Sequence, residues 1–139
     1  MNSSGNGVSK LPSNSYVLDA SALLALLNDE PGKKRVEEAL SSSVISAVNY
    51  GETLIKLIDK GLGTEQAREN LEALDLRVIA LDEELAYSAA SLRPITKQFG
   101  LSLGDLCCLA LTIRQNATVL TTDRIWSKLN IGAKIELIR

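Results

Sequence analysis

Short apolar segments alternate with helical segments along most of this 139-residue chain. Strands are predicted at residues 16–18, 44–46, 78–81, 118–121 and 134–138. Helices are predicted between them, at residues 20–27, 33–40, 47–60, 64–74, 83–92 and from 102 onward. Strands separated by helices pair in parallel, because each helix returns the chain to the same end of the sheet. The sequence therefore predicts an α/β fold with a mostly parallel central sheet and helices on both of its faces.

The chain divides into a short tail and one domain. Residues 1–15 are rich in Ser, Asn and Gly, have no periodicity, and are predicted to be a flexible N-terminal tail. Residues 16–139 are long enough for a single domain with its own hydrophobic core. No apolar run reaches the roughly 20 residues that a membrane helix needs, and the N-terminus lacks the apolar core of a secretory signal. We therefore expect a cytoplasmic protein.

Charge and composition restrict the chemistry. The net charge of −2 argues against a protein that coats nucleic acid electrostatically, but it is compatible with a nuclease whose acids bind divalent cations. The chain has no histidine and two cysteines, which excludes the usual structural zinc sites within one chain. Cys107 and Cys108 are adjacent in a predicted helix and point about 100° apart, so we expect two core residues rather than a disulfide.

Four carboxylates stand where an apolar run has just ended or a helix has just begun: Asp19, Glu52, Asp105 and Asp123. Ligands of parallel sheets bind beyond the carboxyl ends of the strands, so this folding pattern can bring the four acids together. A cluster of acids repels itself and needs a cation. Oxygen ligands without thiols or imidazoles point to a hard divalent metal.

Each acid also has a structural explanation. Asp19, Asp105 and Asp123 can each be a helix cap or a first-turn acid, which explains them as well as catalysis does. Glu52 lies in or beside the apolar stripe of its helix, where a structural ion pair is the alternative to a metal. Asp82 also follows a predicted strand and precedes a helix, so position alone leaves it as a fifth candidate.

Local sequence removes that ambiguity. Residues 17–23 (Val-Leu-Asp-Ala-Ser-Ala-Leu) resemble the first motif of PIN-domain ribonucleases, and residues 45–52, 100–105 and 120–126 resemble the second, third and fourth. The order and spacing agree over about residues 16–139. Ser-Leu-Gly-Asp at 102–105 and Thr-Thr-Asp-x-x-Trp at 121–126 are most similar to VapC-type toxins of toxin–antitoxin systems. Asp82 matches none of these motifs.

The resemblance implies a three-layer α/β/α sandwich and a Mg²⁺- or Mn²⁺-dependent endoribonuclease that hydrolyses RNA through a metal-activated water. Asp19, Asp105 and Asp123 are then the expected metal ligands, and Glu52 completes the catalytic acids. Such toxins pair with a VapB-like antitoxin and commonly form homodimers. The alternatives are a housekeeping RNA-processing PIN nuclease and a non-catalytic PIN module that binds RNA or protein.

Four other residues have more than one interpretation. Ser21 and Thr122 either hydrogen-bond a metal ligand or cap helices. Arg93 either contacts RNA phosphate, pairs with an acid of the site, or is an ordinary surface residue. Trp126 is expected to anchor the last short helix in the core, with base stacking as the alternative.

Overall fold

The computed structural model describes residues 15–139, which form five strands and seven α-helices. The strands are β1 (Tyr16–Leu18), β2 (Ser43–Ser46), β3 (Arg77–Ile79), β4 (Thr118–Thr121) and β5 (Lys134–Leu137). The helices are α1 (Ala20–Leu27), α2 (Lys33–Ala39), α3 (Ala47–Asp59), α4 (Thr64–Glu72), α5 (Glu83–Ser91), α6 (Arg93–Thr96) and α7 (Leu103–Arg114). Short 3₁₀ helices cover Leu40–Ser42, Lys97–Phe99 and Arg124–Lys128.

All five strands pair in parallel, in the order β3-β2-β1-β4-β5. The chain first builds outward from β1 to β3 and then crosses to the other side of β1 to add β4 and β5. The strand order therefore reverses between β1 and β4, which are hydrogen-bonded neighbours with Leu18 opposite Leu120. A reversal of this kind is where doubly wound sheets bind their ligands.

The alternation of side chains along the central strands fills two cores. Val17, Val44 and Val119 face a cluster that includes α5 and α7. The next residue of each strand, Leu18, Ile45 or Leu120, faces a second cluster that includes α1, α2 and α4. Because successive strand residues point to opposite faces, both faces are covered and the predicted three-layer α/β/α sandwich is confirmed.

Helix α7 is buried on more sides than its sequence pattern predicts. The helical spacing of Leu106, Leu109, Ala110 and Ile113 predicts one buried apolar stripe. The first three are buried, but Ile113 is 40% exposed. Cys107 and Cys108 are fully buried free thiols, in agreement with a core role. The helix packs against the sheet, α3 and α5, so a single apolar stripe does not describe its contacts.

The ends of two elements differ from expectation. The sequence favours Thr64 as the N-cap of the helix predicted at residues 64–74, but Gly63 is the N-cap and Thr64 is the first helical residue. Of the predicted tail, residues 1–14 lie outside the described part of the chain. Ser15 is buried, and its carbonyl accepts a hydrogen bond from the Thr118 amide at 3.0 Å. Within residues 15–139, no helix combines the length and the apolar character needed to cross a membrane.

Candidate active site

Asp19 lies in the first turn after β1, at the point where strand order reverses. It is the N-cap of α1, and Oδ1 accepts hydrogen bonds from the Ala22 amide (2.8 Å) and the Ser21 hydroxyl (2.7 Å). Its Oδ2 accepts a 2.6 Å hydrogen bond from the hydroxyl of Thr121, the last residue of β4. The capping role and the position beside β4 are therefore combined in one side chain.

Burial dominates the electrostatics of Asp19, which is 6% exposed. Loss of solvent raises its pKa from 3.8 to about 6, although the hydrogen bonds from Thr121, Ser21 and Ala22 lower it and the charge of Asp105 raises it further. None of the five ion pairs in residues 15–139 involves Asp19. A buried carboxylate with no paired cation is a strong candidate for binding one.

Glu52 is held by Asn49, one turn earlier on α3. The Asn49 side-chain amide donates to Glu52 Oε1 at 2.9 Å and to the Gly104 carbonyl at 3.3 Å. Asn49 is itself 2% exposed and is oriented by the Ser46 hydroxyl, which donates to its Oδ1 at 2.7 Å. This buried amide therefore links α3 to the first turn of α7.

The position of the Glu52 carboxylate against α7 requires a glycine at residue 104. A Cβ added at Gly104 would lie 2.7 Å from Cδ of Glu52 and 2.8 Å from its Oε1. Real Cβ atoms essentially never approach other heavy atoms this closely, so any side chain at 104 displaces the Glu52 carboxylate. Gly104 thus keeps Glu52 beside Asp105.

The other two acids also cap helices. The spacing of Ser102 and Asp105 predicts a capping box, and they form one: the Asp105 amide donates to the Ser102 hydroxyl (3.1 Å), and Asp105 Oδ2 accepts from the Ser102 amide (3.0 Å). Asp123 is the N-cap of the 3₁₀ helix after β4, and its Oδ1 accepts from the Ile125 amide at 3.0 Å. Asp105 is half-buried and Asp123 is exposed.

All four carboxylates line one cavity of about 330 Å³. Its remaining lining residues are Ala20, Ser21, Leu24, Asn49, Ile55 and Lys56. Asp82 is absent from this lining. It caps α5 by accepting a 2.8 Å hydrogen bond from the Leu85 amide, beyond the edge strand β3. We call this space the acidic cavity.

A larger cavity of about 710 Å³ lies at the opposite end of the sheet. It includes Ser43, at the amino end of β2, together with Glu37, Asp75 and Arg77. Ligands of doubly wound sheets bind at the carboxyl ends of the strands, so the smaller acidic cavity is the better candidate for the active site.

The acidic cavity has the donor chemistry of a divalent cation site without a closed ligand set. Within residues 15–139, no three acidic or sulfur-containing side chains are arranged so that they already enclose a metal ion. The donors that line the cavity are carboxylates, which suit Mg²⁺ or Mn²⁺. Asp19 is fixed by three hydrogen bonds, whereas Glu52, Asp105 and Asp123 are more exposed. The donor set therefore fits a hard cation, with Asp19 as its most firmly oriented carboxylate.

Two residues of this arrangement were not predicted from the sequence. Thr121, rather than Thr122, donates to Asp19, and Asn49 orients Glu52. The Thr122 amide instead donates to the Ser21 hydroxyl at 3.0 Å, so Ser21 contacts both an acid of the site and the chain after β4.

Two further sequence-based expectations concern residues away from the acids. Arg93 is exposed and donates to the Leu101 carbonyl at 3.0 Å, and it is not part of the cavity lining. Trp126 is fully buried, which confirms its role as a core anchor for the last 3₁₀ helix.

The family follows from a comparison with known protein families, in which the model described as "PIN domain" matches residues 16–132. The chain belongs to the PIN-domain family. Members of this family are generally nucleases that use divalent metal ions. No curated protein sequence matches this PIN domain closely enough to be counted as a relative.

Solved structures share its fold. VapBC2 from Rickettsia felis, bound to a DNA fragment from its promoter, is 21% identical with a TM-score of 0.70, over 88% of this chain and 97% of that one. VapBC from Salmonella typhimurium, also bound to DNA, is 20% identical with a TM-score of 0.71, over 91% and 99%. VapBC-5 from Mycobacterium tuberculosis, a member of the VapBC family of toxin–antitoxin systems, is 25% identical with a TM-score of 0.61, over 92% and 99%.

Proposed function

We propose that this PIN domain is a Mg²⁺- or Mn²⁺-dependent endoribonuclease and the toxin of a toxin–antitoxin pair. The observation that carries the proposal is the convergence of Asp19, Glu52, Asp105 and Asp123 on one cavity at the carboxyl end of the sheet. These acids are separated by up to about a hundred residues of sequence. Their meeting in one cavity brings together the oxygen ligands that a divalent metal in a hydrolase needs, at the place where doubly wound sheets bind ligands.

Asp19 is the proposed anchor of the metal site. An ionised carboxylate offers about four lone-pair positions, and three of those of Asp19 already accept hydrogen bonds. One position remains, on Oδ2, which accepts one hydrogen bond, from the Thr121 hydroxyl. Binding of a cation would also stabilise the ionised form of this buried group and thereby offset the cost of its burial.

The remaining acids complete the proposed site. Asp105 and Asp123 are expected to supply further ligand oxygens, and Glu52 to complete the negative cavity directly or through water. A bound divalent cation would neutralise charge on the phosphate and lower the pKa of a water molecule near the scissile bond. Asn49 orients Glu52, and Ser21 and Thr121 orient Asp19, so that the carboxylates are held ready for the cation.

Water, rather than the ribose 2′-hydroxyl, is the proposed nucleophile, with the 3′ oxygen as the leaving group. Ribonucleases that activate the 2′-hydroxyl commonly use histidine as acid and base, and this sequence contains none.

The toxin assignment rests on the structural relatives. Those described above are VapBC proteins, and a further one is a toxin–antitoxin complex from Klebsiella pneumoniae with 18% identity and a TM-score of 0.69. By analogy, we propose a VapB-like antitoxin as the partner of this chain and a homodimer as its assembly. A housekeeping RNA-processing PIN nuclease is the alternative with the same chemistry.

The test of the nuclease proposal is Asp19→Asn, assayed on RNA with added Mg²⁺ or Mn²⁺. We expect cleavage to fall by more than about 100-fold while the circular dichroism spectrum is unchanged. Asp82→Asn is the matched control, because Asp82 also caps a helix through a 2.8 Å hydrogen bond but lies outside the acidic cavity. Full activity of Asp19→Asn, or of the wild type in excess chelator, would overturn the proposal.

The toxin proposal has a separate test. Induced expression of the wild type in a bacterium should arrest growth, and Asp19→Asn should not. Co-expression of a small protein encoded beside this chain should restore growth. Normal growth despite active RNA cleavage would assign the chain to RNA processing instead, and sequencing the RNA ends after brief induction would identify the substrate.

A further inference from the structure

One face of α3 changes from acidic to basic along the helix. Asn49, Glu52 and Lys56 of α3 and Lys60, the C-cap of that helix, follow one another at intervals of three or four residues, so they lie on the same face. With a rise of 1.5 Å per residue, Lys56 stands about 6 Å and Lys60 about 12 Å beyond Glu52 along the axis. The face therefore leads from the acidic cavity to a pair of lysines.

A second, smaller cavity of about 250 Å³ lies over these lysines. It shares Ser21, Leu24 and Lys56 with the acidic cavity and is further lined by Lys60, Arg139, Asn28 and Glu30. The two cavities are thus adjoining parts of one surface groove, with Lys56 at their junction.

The lysines of this second cavity are available to a ligand. Among the lining residues within 15–139, Glu30 has the one acidic side chain, and it is paired with Arg139 at 3.3 Å. Lys56 and Lys60 are exposed, and neither takes part in an ion pair within residues 15–139. Lys33, by contrast, is paired with Asp29 at 3.3 Å. The second cavity therefore carries uncompensated positive charge beside an acidic centre.

We infer that Lys56 and Lys60 bind the RNA phosphate adjacent to the scissile one and so position the strand across the acidic cavity. This inference rests on the proposed function. When the scissile phosphate enters the acidic cavity, the next phosphate of the strand lies close to it. Among the residues of the described chain that line the acidic cavity, only Lys56 has a basic side chain that could bind this second phosphate. Two unpaired ammonium groups along the same helix face offset the repulsion between the RNA backbone and the four acids.

The experiment measures binding and cleavage separately. Binding of a fluorescent single-stranded RNA is followed at several salt concentrations in the Asp19→Asn background, where the strand stays intact. Each phosphate contact contributes about 0.7 to the slope of log affinity against log salt for a single strand, so Lys56→Ala with Lys60→Ala, which removes the contacts to this one phosphate, should lower that slope by about 0.7. With Asp19 restored, the double variant should raise KM by about tenfold and leave kcat within about twofold.

The matched control is Lys134→Ala. Lys134 is also an exposed lysine, but it begins β5 at the amino ends of the strands, opposite the acidic cavity. The Lys134→Ala variant should leave both the salt dependence of RNA binding and KM unchanged. Lys56→Arg with Lys60→Arg should retain the slope, because the charges are kept.

Four results would overturn the inference. An unchanged slope in the double alanine variant, with normal cleavage by the wild type, would remove the lysine subsite and leave the proposed nuclease intact. An equal loss of slope in Lys134→Ala would show only a general effect of net charge. Unchanged RNA binding with lost binding of a poly-glutamate peptide would assign the lysines to an acidic protein partner. Absence of RNA binding and cleavage by the wild type would remove the proposed function and the subsite together.

Discussion

The hydroxyl of Thr121 donates a 2.6 Å hydrogen bond to Oδ2 of Asp19, although 102 residues separate them in sequence. The same hydroxyl oxygen accepts a 3.0 Å hydrogen bond from the amide of Asp123. One buried side chain therefore joins the ends of β1 and β4 and contacts two of the four acids. The geometry of the acidic cavity depends on this threonine as well as on the carboxylates.

Replacing Thr121 by Val should weaken both stability and activity. The isosteric change leaves Asp19 Oδ2 and the Asp123 amide without their partner, which costs about 1–3 kcal/mol of unfolding free energy. The loss of a hydrogen bond that lowers the pKa of Asp19 should raise that pKa further. We expect Mg²⁺ affinity and RNA cleavage to fall by about 10–100-fold, as measured by calorimetry and a cleavage assay.

Two variants control for other effects of the Thr121 substitution. Thr121→Ser keeps the hydroxyl and should retain most of the activity. Thr118→Val changes the other threonine of β4, at the opposite end of the strand, and should not alter cleavage. A fully active Thr121→Val protein would show that the hydroxyl does not support the site.

The metal-free protein should become less stable as pH rises through the pKa of Asp19. Its folded-state pKa of about 6 exceeds the ordinary value of 3.8, so the folded carboxyl binds a proton more tightly than the unfolded one. This contribution to stability is complete below about pH 4 and is lost as pH rises through about 6, with a total of about 3 kcal/mol.

Urea unfolding in chelator at about pH 4 and about pH 7 measures this effect. The other acids contribute to the pH dependence of both the wild type and Asp19→Asn. The quantity to compare is therefore the difference in unfolding free energy between these two proteins. Relative to the variant, the wild type should lose about 3 kcal/mol across this range. A difference that does not change with pH would contradict the raised pKa.

Gly104→Ala should impair cleavage without unfolding the protein. The new Cβ would occupy the space of the Glu52 carboxylate, which is the flexible end of its side chain and can move away. The unfolding free energy should change by less than about 1 kcal/mol, because alanine also favours the helix. Cleavage should fall by about tenfold or more if Glu52 acts from its present position.

Gly51→Ala is the matched control for Gly104→Ala. Gly51 is also a helical glycine and precedes Glu52, but a Cβ there meets nothing within 4 Å. Its substitution should leave cleavage unchanged. Equal activity of the two variants would mean that the close approach of α3 and α7 has no part in catalysis.

Mg²⁺ should stabilise the protein through Asp19. Since the cation binds the folded state, a concentration about 100 times its dissociation constant should add about 2.7 kcal/mol to the unfolding free energy. Thermal unfolding at increasing Mg²⁺ measures this gain. Asp82→Asn should show the full gain and Asp19→Asn little of it. The same gain in both variants would place the cation elsewhere.

The sequence predicted the parts of the site that depend on local pattern. Asp19 and Asp123 directly follow apolar strands, and Ser102 with Asp105 forms a capping box, so short segments were enough to locate them. From the sequence alone, helix capping and a place in the acidic cavity are alternative explanations of these acids. The structure shows that they coincide, because the N-terminus of a helix after a strand opens at the carboxyl edge of the sheet.

The residues that the sequence did not reveal act through tertiary contacts. Thr121 meets Asp19 only when β1 and β4 become neighbours, and Asn49 acts through the packing of α3 on α7. No local sequence pattern predicts either contact. The exposure of Ile113 has a similar origin, since a helix packed on several sides does not follow one apolar stripe.

The strand order has a consequence for biosynthesis. Asp19 is synthesised before Asp105, Thr121 and Asp123, and β4 must insert beside β1 before Thr121 and Asp123 meet Asp19. A nascent chain that ends before β4 lacks Thr121 and Asp123, and with them one side of the acidic cavity. The acidic cavity can therefore be completed only after residues 118–123 have been synthesised and β4 has paired with β1.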